Sequence, residues 1–310
     1  MRGIGLSNPS SLLEQKIEIA RRTMMEYSPG HGDACASSLE DSGCQPFQRG
    51  FAHVENWVFD LDNTLYSAGH SIWLQIDQRI TVLVASLFGL DGLSAKALQH
   101  YYCGRYGATL RGLIVEDGVA PDFFLDFAHD IDRSELEPDI VLAGAIARLP
   151  GRRFIFTSGS ESHALKTAAQ LGIDHLFDGI FDITACDFRP KPDERCYHSF
   201  VTRFGIEPRK TAMFEDIASN LDVPHRLGMT TVLVTSASEA IGNKASNCQI
   251  GIASGVDFET NDLGSFLTQL HSSRSLEACP DTTGPELGGA VAEACPGEGE
   301  ISHVYAGASR

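Results

Sequence analysis

The most constraining feature of this sequence is residues 54–66, VENWVFDLDNTLY, in which an apolar run ends in two aspartates separated by one residue. Trp57, Val58 and Phe59 are consecutive and apolar, which is typical of a strand buried on both faces of a parallel sheet. Asp60 then lies at the carboxyl end of that strand. Open α/β sheets bind their ligands at this edge, so the segment predicts a functional site there.

Asp60 and Asp62 carry the chemistry that this segment predicts. Asp60 has the position of a nucleophile, and Asp62 that of a group that exchanges a proton with the leaving oxygen. Two carboxylates this close repel each other, so the site needs either a cation or a proton retained on one of them. Mg²⁺ meets the first condition, because it binds a few carboxylate and carbonyl oxygens together with phosphate. The structural alternative is an Asx-type turn after the strand.

Length and charge restrict the class of partner. The chain has 310 residues, with 41 acidic and 24 basic side chains and a formal net charge of -17. This length allows one large domain or two modest ones, and an apolar content of 43% allows a sizeable core. A nucleic acid polymer is excluded as the main partner, since such interfaces need a basic stripe. A small phosphate ester remains compatible, because one metal ion and one lysine balance its charge.

The cysteines and the hydropathy pattern predict a cytoplasmic protein. The eight cysteines, at positions 35, 44, 103, 186, 196, 248, 279 and 295, form no C-x-x-C pair, so we predict reduced thiols. The opening segment MRGIGLSNPSSLLEQ has no continuous apolar stretch, so no secretory signal is expected. No run approaches about 18 apolar residues, so no membrane span is expected either. The sequence carries no signal for the oligomeric state.

The first half of the chain divides into an extension, the reactive strand and a helical insertion. Residues 1–50 form an extension, with one helix predicted over 11–27 and a mobile, partly disordered segment beyond it. Residues 67–149 have apolar side chains at helical spacing and predict five helices. Such an insertion, directly after the reactive strand, is placed to act as a cap over the site. Helical packing without a lid role is the alternative.

The second half of the chain alternates between strands and helices with short connections, which predicts a parallel sheet. We expect strands at 153–156, 179–183, 212–215 and 230–234, and helices at 161–171, 193–204 and 218–227. The core then consists of 51–66 and 150–272, and residues 273–310 are expected to form a disordered tail. The predicted fold class is α/β, a doubly wound parallel sheet with an inserted α-helical cap.

Three further strand ends carry polar groups suited to phosphate chemistry. FIFTSGSE places Thr157 and Ser158 after a strand, where hydroxyl groups and a helix N-terminus bind phosphate well. RPKP holds Lys191 between two prolines, which restrict the backbone and aim the ammonium group at negative charge. MFEDIASN places Glu215 and Asp216 after an apolar strand, where a carboxylate completes a magnesium site with the first aspartate.

Each of these groups also has a structural explanation. Ser160 is suited to cap the helix that follows the second strand. Lys191 alone is typical of a solvated surface, and Glu215 and Asp216 are typical of an acidic helix N-terminus. Because the carboxyl ends of parallel strands share one edge, we expect all four motifs to converge, which favours the functional interpretation.

On these motifs the chain resembles the haloacid dehalogenase-like (HAD) hydrolase superfamily. The four superfamily motifs are similar to DLDNT at 60–64, TSGS at 157–160, KP at 191–192 and ED at 215–216. The strings DLDNTLY, YGATLRGL, DFAHDID and FEDIASNL further resemble the pyrimidine 5′-nucleotidase subgroup. The resemblance implies a HAD-like Rossmannoid core with an α-helical cap between the first and second motifs.

The resemblance also implies a magnesium-dependent hydrolysis of phosphate monoesters. Asp60 would attack phosphorus to form an aspartyl-phosphate. Asp62 would protonate the departing sugar hydroxyl and then activate water. Thr157 would hold a phosphoryl oxygen, and Lys191 would balance charge. These implied roles agree with those that the residue types themselves suggest, because phosphoryl transfer depends mainly on positioning and charge stabilisation.

The implied metal site departs from the family pattern at one position. Mg²⁺ would be held by Asp60, Asp216 and the backbone carbonyl of Asp62. Many members carry a second acidic residue where this chain has Asn220, so Glu215 must share the acidic ligation with Asp216.

Asp62 separates two reactions within the superfamily. A dehalogenase expels halide, which needs no proton, and it lacks this acid, so the presence of Asp62 favours phosphate esters. The second motif has Ser158 where the subgroup usually has Asn, which affects how the phosphate loop is held. The cap is expected to choose the substrate, and the candidate contacts to its sugar and base are Tyr66, Arg105, Tyr106, Arg111, His129 and Asp130.

Three hypotheses follow for the function. The first is a nucleoside-monophosphate phosphatase that prefers pyrimidine bases. The second is a phosphatase for another small ester, such as a sugar phosphate or phosphoglycolate. The third is a non-catalytic phosphate-binding module that kept the fold. The intact set of Asp60, Asp62, Lys191 and Asp216 disfavours the third, since a decayed site is expected to lose at least one of them.

Overall fold

A computed structural model of the chain describes residues 13–19, 21, 50–67, 71–235 and 255–277, with the backbone alone for 271–277. The helix predicted over 11–27 is present at 13–19. The predicted mobile segment that follows it lies outside the described residues, as does the predicted tail beyond 277.

Six parallel strands form a sheet within the described residues. They are β1 (Asn56–Phe59), β2 (Arg152–Phe156), β3 (Gly179–Phe181), β4 (Thr211–Glu215), β5 (Thr230–Val234) and β6 (Phe258–Thr260). Their order across the sheet is β3-β2-β1-β4-β5-β6. The order reverses between β1 and β4, which is the switch point of a doubly wound sheet. The predicted fold class is therefore confirmed.

The central strand β1 is buried on both faces, as its apolar run predicts. Trp57 and Phe59 point into the apolar cluster on one face of the sheet, and Val58 points into the cluster on the other. Phe59 pairs in register with Ile155 of β2 and with Phe214 of β4. The residue that follows Phe59 therefore emerges at the middle of the sheet's carboxyl edge.

The insertion after β1 begins with a bundle of four helices. These are α1 (Ile72–Phe88), α2 (Gly92–Tyr106), α3 (Thr109–Asp117) and α4 (Pro121–Ala128). They share an apolar cluster that includes Leu83, Leu98, Leu110 and Phe124. The helical segment at 13–19 packs on this bundle through Lys16, which donates to the Tyr102 hydroxyl at 3.2 Å. We call α1–α4 the cap.

The remaining helices cover the two faces of the sheet. On the face of Trp57 and Phe59 lie α5 (Ile140–Ala147), α6 (Glu161–Gln170) and the later α9 (Leu263–Glu277), and on the opposite face lie α7 (Glu194–Phe204) and α8 (Asp222–Leu227). Helix α5 was expected in the cap, but its buried Leu142 and Ile146 belong to the same cluster as the sheet. The start of α1 also reaches this cluster, through Ile72 and Ile76, and the boundary predicted at 149 stays a prediction.

Two parts of the fold differ from the sequence-based expectation near the end of the core. Strand β6 was not predicted. It has only three residues, with the sequence FET, and this sequence contains no run of apolar residues that would indicate a strand. Helix α9 extends to Glu277, past the predicted end of the core at 272. Leu263, Phe266 and Leu267, in its first half, pack against the sheet.

The prediction of reduced thiols is wrong for one pair of cysteines. Cys186 and Cys196 form a disulfide, with Cα atoms 5.3 Å apart, and both side chains are buried in the cluster beneath α7. Their separation of ten residues leaves no C-x-x-C signal in the sequence. Cys103 keeps its thiol, and the other five cysteines lie outside the described residues.

No helix in the described part of the chain is by itself long and apolar enough to cross a membrane. Helices α1 and α2 pass that test only as a pair, and they are bent by 105° at the break between them.

The aromatic side chains beneath β2 and β3 provide a test of the fold. Phe200 on α7 is buried, and its ring lies 5.0–5.8 Å from the rings of Phe154, Phe156, Phe181 and Phe204. We expect Phe200→Ala to lower the free energy of unfolding in urea by about 3–5 kcal/mol, because the cavity cannot close. Leu165→Ala on α6, a side chain 49% exposed, should cost about 1 kcal/mol or less. Equal losses would contradict this packing.

Candidate active site

The functional motifs meet at the carboxyl edge of the sheet. Asp60 directly follows β1, Thr157 follows β2, and Glu215 ends β4 with Asp216 next to it. The Asp60 amide donates to the Phe214 carbonyl at 2.9 Å, which fixes the start of the turn after β1. Because β1 lies between β2 and β4, the sheet brings these groups together as predicted.

Lys191 is buried at the centre of the site. Its side chain is 2% exposed, and its ammonium donates to Asp60 Oδ1 at 2.6 Å, to Glu215 Oε2 at 2.6 Å and to the Phe156 carbonyl at 3.0 Å. The three ammonium protons are thus all used. Burial lowers the pKa of Lys191, but the two carboxylates outweigh burial and raise it. The alternative of a solvated surface lysine is wrong.

Two of the carboxylates at this site contact the Lys191 ammonium, and a third, Asp216, lies close to them. Ligand oxygens of Asp60, Glu215 and Asp216 lie within 4.8 Å of one another. Burial and the charge of Glu215 raise the pKa of Asp60 to about 8, although Lys191 acts in the opposite direction. Burial and the same carboxylates raise the pKa of Asp216 well above its usual value. The excess negative charge gives the cluster an affinity for a cation.

The oxygen-only ligand set of this cluster fits a hard divalent ion such as Mg²⁺. Asn63 lies beside it in the left-handed backbone region, with φ 61°, and donates to Asp216 Oδ2 at 3.4 Å. Its own Oδ1 is buried and receives no hydrogen bond within the described structure. A polar oxygen left unpaired next to three carboxylates is explained if a cation occupies the site. Ligation by the backbone carbonyl of Asp62 stays a prediction.

Asn220 holds Glu215 in place. Its side-chain amide donates to Glu215 Oε1 at 2.6 Å, while Lys191 occupies Oε2. Both Glu215 oxygens therefore already accept hydrogen bonds. Asp60 and Asp216 accept fewer hydrogen bonds than Glu215, so their oxygens are more available to a metal ion.

Asp62 is held by two donors that share one of its oxygens. The Tyr66 hydroxyl donates to Asp62 Oδ1 at 2.6 Å, and His163 Nε2 lies 2.9 Å from the same oxygen. Burial raises the pKa of the Asp62 carboxyl, but these two donors outweigh burial and lower it below its usual range. Tyr66, predicted to contact substrate, thus contacts the proposed acid–base group.

The residues behind Asp62 were not predicted from the sequence. His163 accepts a hydrogen bond at Nδ1 from Arg133 at 2.8 Å, and its ring stacks on His129 with centroids 4.4 Å apart. His129, a predicted substrate contact, therefore lies one layer behind Asp62. Burial lowers the pKa of His129 to about 3, so its ring is neutral. His163 and Asp62 are 101 residues apart in sequence, and no local pattern connects them.

The second motif organises the loop between β2 and α6. Thr157 Oγ1 accepts from the Gly159 amide at 2.9 Å, and Ser158 Oγ accepts from the Lys191 amide at 3.3 Å. Ser158 therefore connects this loop to the loop that carries the buried lysine. Ser160 caps α6, as the structural alternative proposed, because its hydroxyl accepts from the His163 amide at 3.3 Å.

The cap meets the core at a cavity of about 360 Å³. It is lined from the cap by Tyr106, Gly107 and Arg111, and from the core by the segment at 189–193 and Arg195. Two predicted substrate contacts lie elsewhere. Arg105 is 61% exposed and donates to the Tyr106 hydroxyl, and Asp130 is 81% exposed and pairs with Arg79. Neither side chain is part of the cavity lining, and their roles in binding substrate stay predictions.

A family model supports the assignment of this site. The model described as haloacid dehalogenase-like hydrolase matches residues 56–228, more than half of the chain. The chain belongs to the haloacid dehalogenase-like hydrolase family. The match begins in β1 and ends just after α8, so it contains all four HAD motifs.

Individual proteins are similar to this HAD hydrolase over part of its length. "Phosphate metabolism protein 8" of Saccharomyces cerevisiae is 28% identical over 197 residues, which cover 57% of this chain and 60% of the yeast protein. The chain thus matches less than two thirds of that relative. L-2-haloacid dehalogenase from Xanthobacter autotrophicus is similar with a TM-score of 0.46 and 18% identity, covering 70% of this chain and 98% of that chain. A HAD phosphatase from Thermococcus onnurineus has a TM-score of 0.45 and 19% identity, with the same coverage.

The acidic cluster can be tested by metal binding. We expect Asp216→Asn to weaken Mg²⁺ affinity at least about tenfold in isothermal titration calorimetry, because the cluster loses a charge and a ligand oxygen. Asp130→Asn is the matched control, since this carboxylate is exposed and paired with Arg79. It should leave the affinity unchanged. Native affinity in the Asp216 variant would contradict a metal site at this edge.

Proposed function

We propose that this HAD hydrolase is a magnesium-dependent phosphomonoesterase with Asp60 as nucleophile and Asp62 as acid and base. The observation that carries the proposal is Asp62, held by His163 and Tyr66 in the turn that begins with Asp60. An alcohol leaving group needs a proton, whereas a halide does not. A positioned carboxyl group at this place therefore favours phosphate esters over haloacids.

In the first step, an Asp60 oxygen attacks phosphorus, and the phosphorus–oxygen bond to the alcohol breaks. The product on the enzyme is an aspartyl-phosphate. Lys191 holds Asp60 Oδ1 at 2.6 Å and offsets negative charge as it builds on the phosphoryl oxygens. Thr157 and Ser158, on the loop after β2, are the groups that we assign to phosphoryl oxygens. Preorganised charges are required together, because such esters hydrolyse extremely slowly in water.

Asp62 acts in both steps. It donates a proton to the departing alcohol oxygen and then removes a proton from the water that attacks the aspartyl-phosphate, which releases phosphate. Although burial raises the pKa of the Asp62 carboxyl, His163 and Tyr66 lower it. The negative charge of a bound phosphate ester raises the pKa of this neighbouring carboxyl, which favours the protonated form that the first step needs.

Asp60 and Asp216, with Glu215 behind them, are the residues that would hold Mg²⁺. When bound, the ion supplies positive charge that stabilises the phosphoryl oxygens and competes with protons for the crowded carboxylates.

We infer that the substrate is a nucleoside 5′-monophosphate with a pyrimidine base, such as UMP or CMP. Two observations support this: the likeness of the cap and core strings to the pyrimidine 5′-nucleotidase subgroup, and the cavity between Tyr106, Arg111 and the Lys191 loop. Its volume of about 360 Å³ lies in the range of small-molecule sites. The name of the yeast relative refers to phosphate metabolism, which agrees with this class of substrate.

Phosphate release from UMP, CMP, AMP, a sugar phosphate and phosphoglycolate, with Mg²⁺ and with EDTA, tests the proposed function. We expect turnover only with Mg²⁺ and the highest kcat/KM for UMP and CMP. Asp60→Asn should lower kcat at least about a thousandfold, because the amide cannot form the aspartyl-phosphate. Asp130→Asn serves again as the exposed control. Turnover retained by the Asp60 variant would refute the nucleophile, and no turnover of any ester by the native protein would refute a phosphatase.

Arg111 tests the assignment of the cavity. We expect Arg111→Ala to raise KM for UMP about tenfold while kcat changes by less than about twofold, because a contact to the bound nucleoside is made equally in the ground and transition states. Leu93→Ala is the control on the cap, with a side chain 81% exposed and outside the cavity. Equal effects of the two variants would place the nucleoside elsewhere.

A further inference from the structure

His163 touches the acid–base group of the proposed reaction but has no part in the mechanism described so far. Its side chain is 0% exposed, and Nε2 lies 2.9 Å from Asp62 Oδ1. A buried histidine needs partners for both ring nitrogens, so hydrogen bonding alone would also suit a purely structural role. The chemistry of its second partner separates the two roles.

Arg133 determines which nitrogen of His163 carries the proton. A guanidinium group is a donor only, so the Arg133 Nη2 contact of 2.8 Å requires Nδ1 of His163 to accept. The proton of the neutral ring must then lie on Nε2, where it points at Asp62. The two contacts together make His163 a one-directional donor to the carboxylate.

Arg133 is itself fixed in place. Nε donates to Thr167 Oγ1 at 3.1 Å, Nη1 donates to the Ile131 carbonyl at 3.2 Å, and Nη2 also donates to the His129 carbonyl at 3.1 Å. Thr167 lies on α6, one turn beyond His163, while the two carbonyls belong to the segment that returns from the cap to the core. The guanidinium therefore has little freedom to release the histidine.

The ring plane of His163 is also constrained. His129 stacks on it with an interplanar angle of 15°, and His129 Nδ1 is in turn held by Ser160 Oγ at 2.9 Å. A ring held at both nitrogens and on one face points its N–H in one direction.

We propose that His163, held in one tautomer by Arg133, is a positioning residue that orients Asp62 for proton transfer to the leaving alcohol. Tyr66 and His163 both bind Oδ1, so within the described structure Oδ2 is the oxygen that remains to exchange a proton with substrate. This inference rests on the proposed function. It adds that Arg133 and His163 together orient Asp62, so that Oδ2 faces the substrate.

The test compares two leaving groups in the same enzyme preparation. An alkyl phosphate needs its leaving oxygen protonated, whereas p-nitrophenyl phosphate releases a stable phenolate without a proton. We compare kcat/KM for the alkyl ester that the native protein hydrolyses fastest with kcat/KM for p-nitrophenyl phosphate. The ratio cancels any loss of folded protein, which lowers both values equally.

His163→Phe keeps a ring on His129 but removes both nitrogens. We expect kcat/KM for the alkyl ester to fall at least about tenfold more than kcat/KM for p-nitrophenyl phosphate, since general acid catalysis contributes about 100-fold or more. His163→Gln, which retains an N–H donor, should restore part of the ratio. Leu165→Ala is the control on the same helix, because this side chain is 49% exposed and takes no part in the contacts of Arg133, His163 or Asp62, and it should leave the ratio unchanged.

Arg133→Met tests the same link if His163→Phe does not fold. It removes the group that fixes the tautomer and should lower the alkyl-to-aryl ratio in the same direction. Equal losses for both esters in the His163 or Arg133 variants would overturn this inference while leaving the proposed function intact. A native protein without activity on any phosphate ester would overturn the proposed function, and this inference with it.

Discussion

The ammonium group of Lys191 lies between the carboxylates of Asp60 and Glu215, and the rest of the site depends on this buried contact. Removing two carboxylates and an ammonium from water is costly unless each charge is paired and each proton is bonded. The three bonds of Lys191 meet that condition and connect the ends of β1, β2 and β4 through one atom. The net negative charge that remains, with Asp216 included, favours a divalent cation at this edge.

The sheet and its aromatic layers provide the rigidity that such a site requires. The rings of Phe59 and Phe214 stack with centroids 4.7 Å apart, and these two residues directly precede Asp60 and Glu215. The two carboxylates are therefore attached to strands that are tightly packed next to the site. The cap touches the core close to Lys191, where the cavity lies. The reactive groups are therefore on the ends of packed strands, while Tyr106 and Arg111 at the cavity belong to the cap.

All four motifs were recognisable because each is local. A buried strand that ends in a carboxylate or hydroxyl has a pattern within ten residues, and parallel strands bring such ends to one edge. Lys191 had no local signal for burial, and Ser160 proved to be a helix cap. Arg105 is next in sequence to Tyr106, which lines the cavity, but its own side chain is 61% exposed and lies outside that lining, which sequence spacing does not reveal.

By itself, the sequence determined the class of fold, the order of strands and helices through β5 and the chemistry at three strand ends, because these follow from periodicity and short motifs. Tertiary structure alone decided that Arg133 and His163 stand behind Asp62, that α5 packs with the sheet and that Cys186 meets Cys196. The physical reason is that these contacts join positions with no shared local pattern, and only the packing of complete elements places them within hydrogen-bond or bond distance.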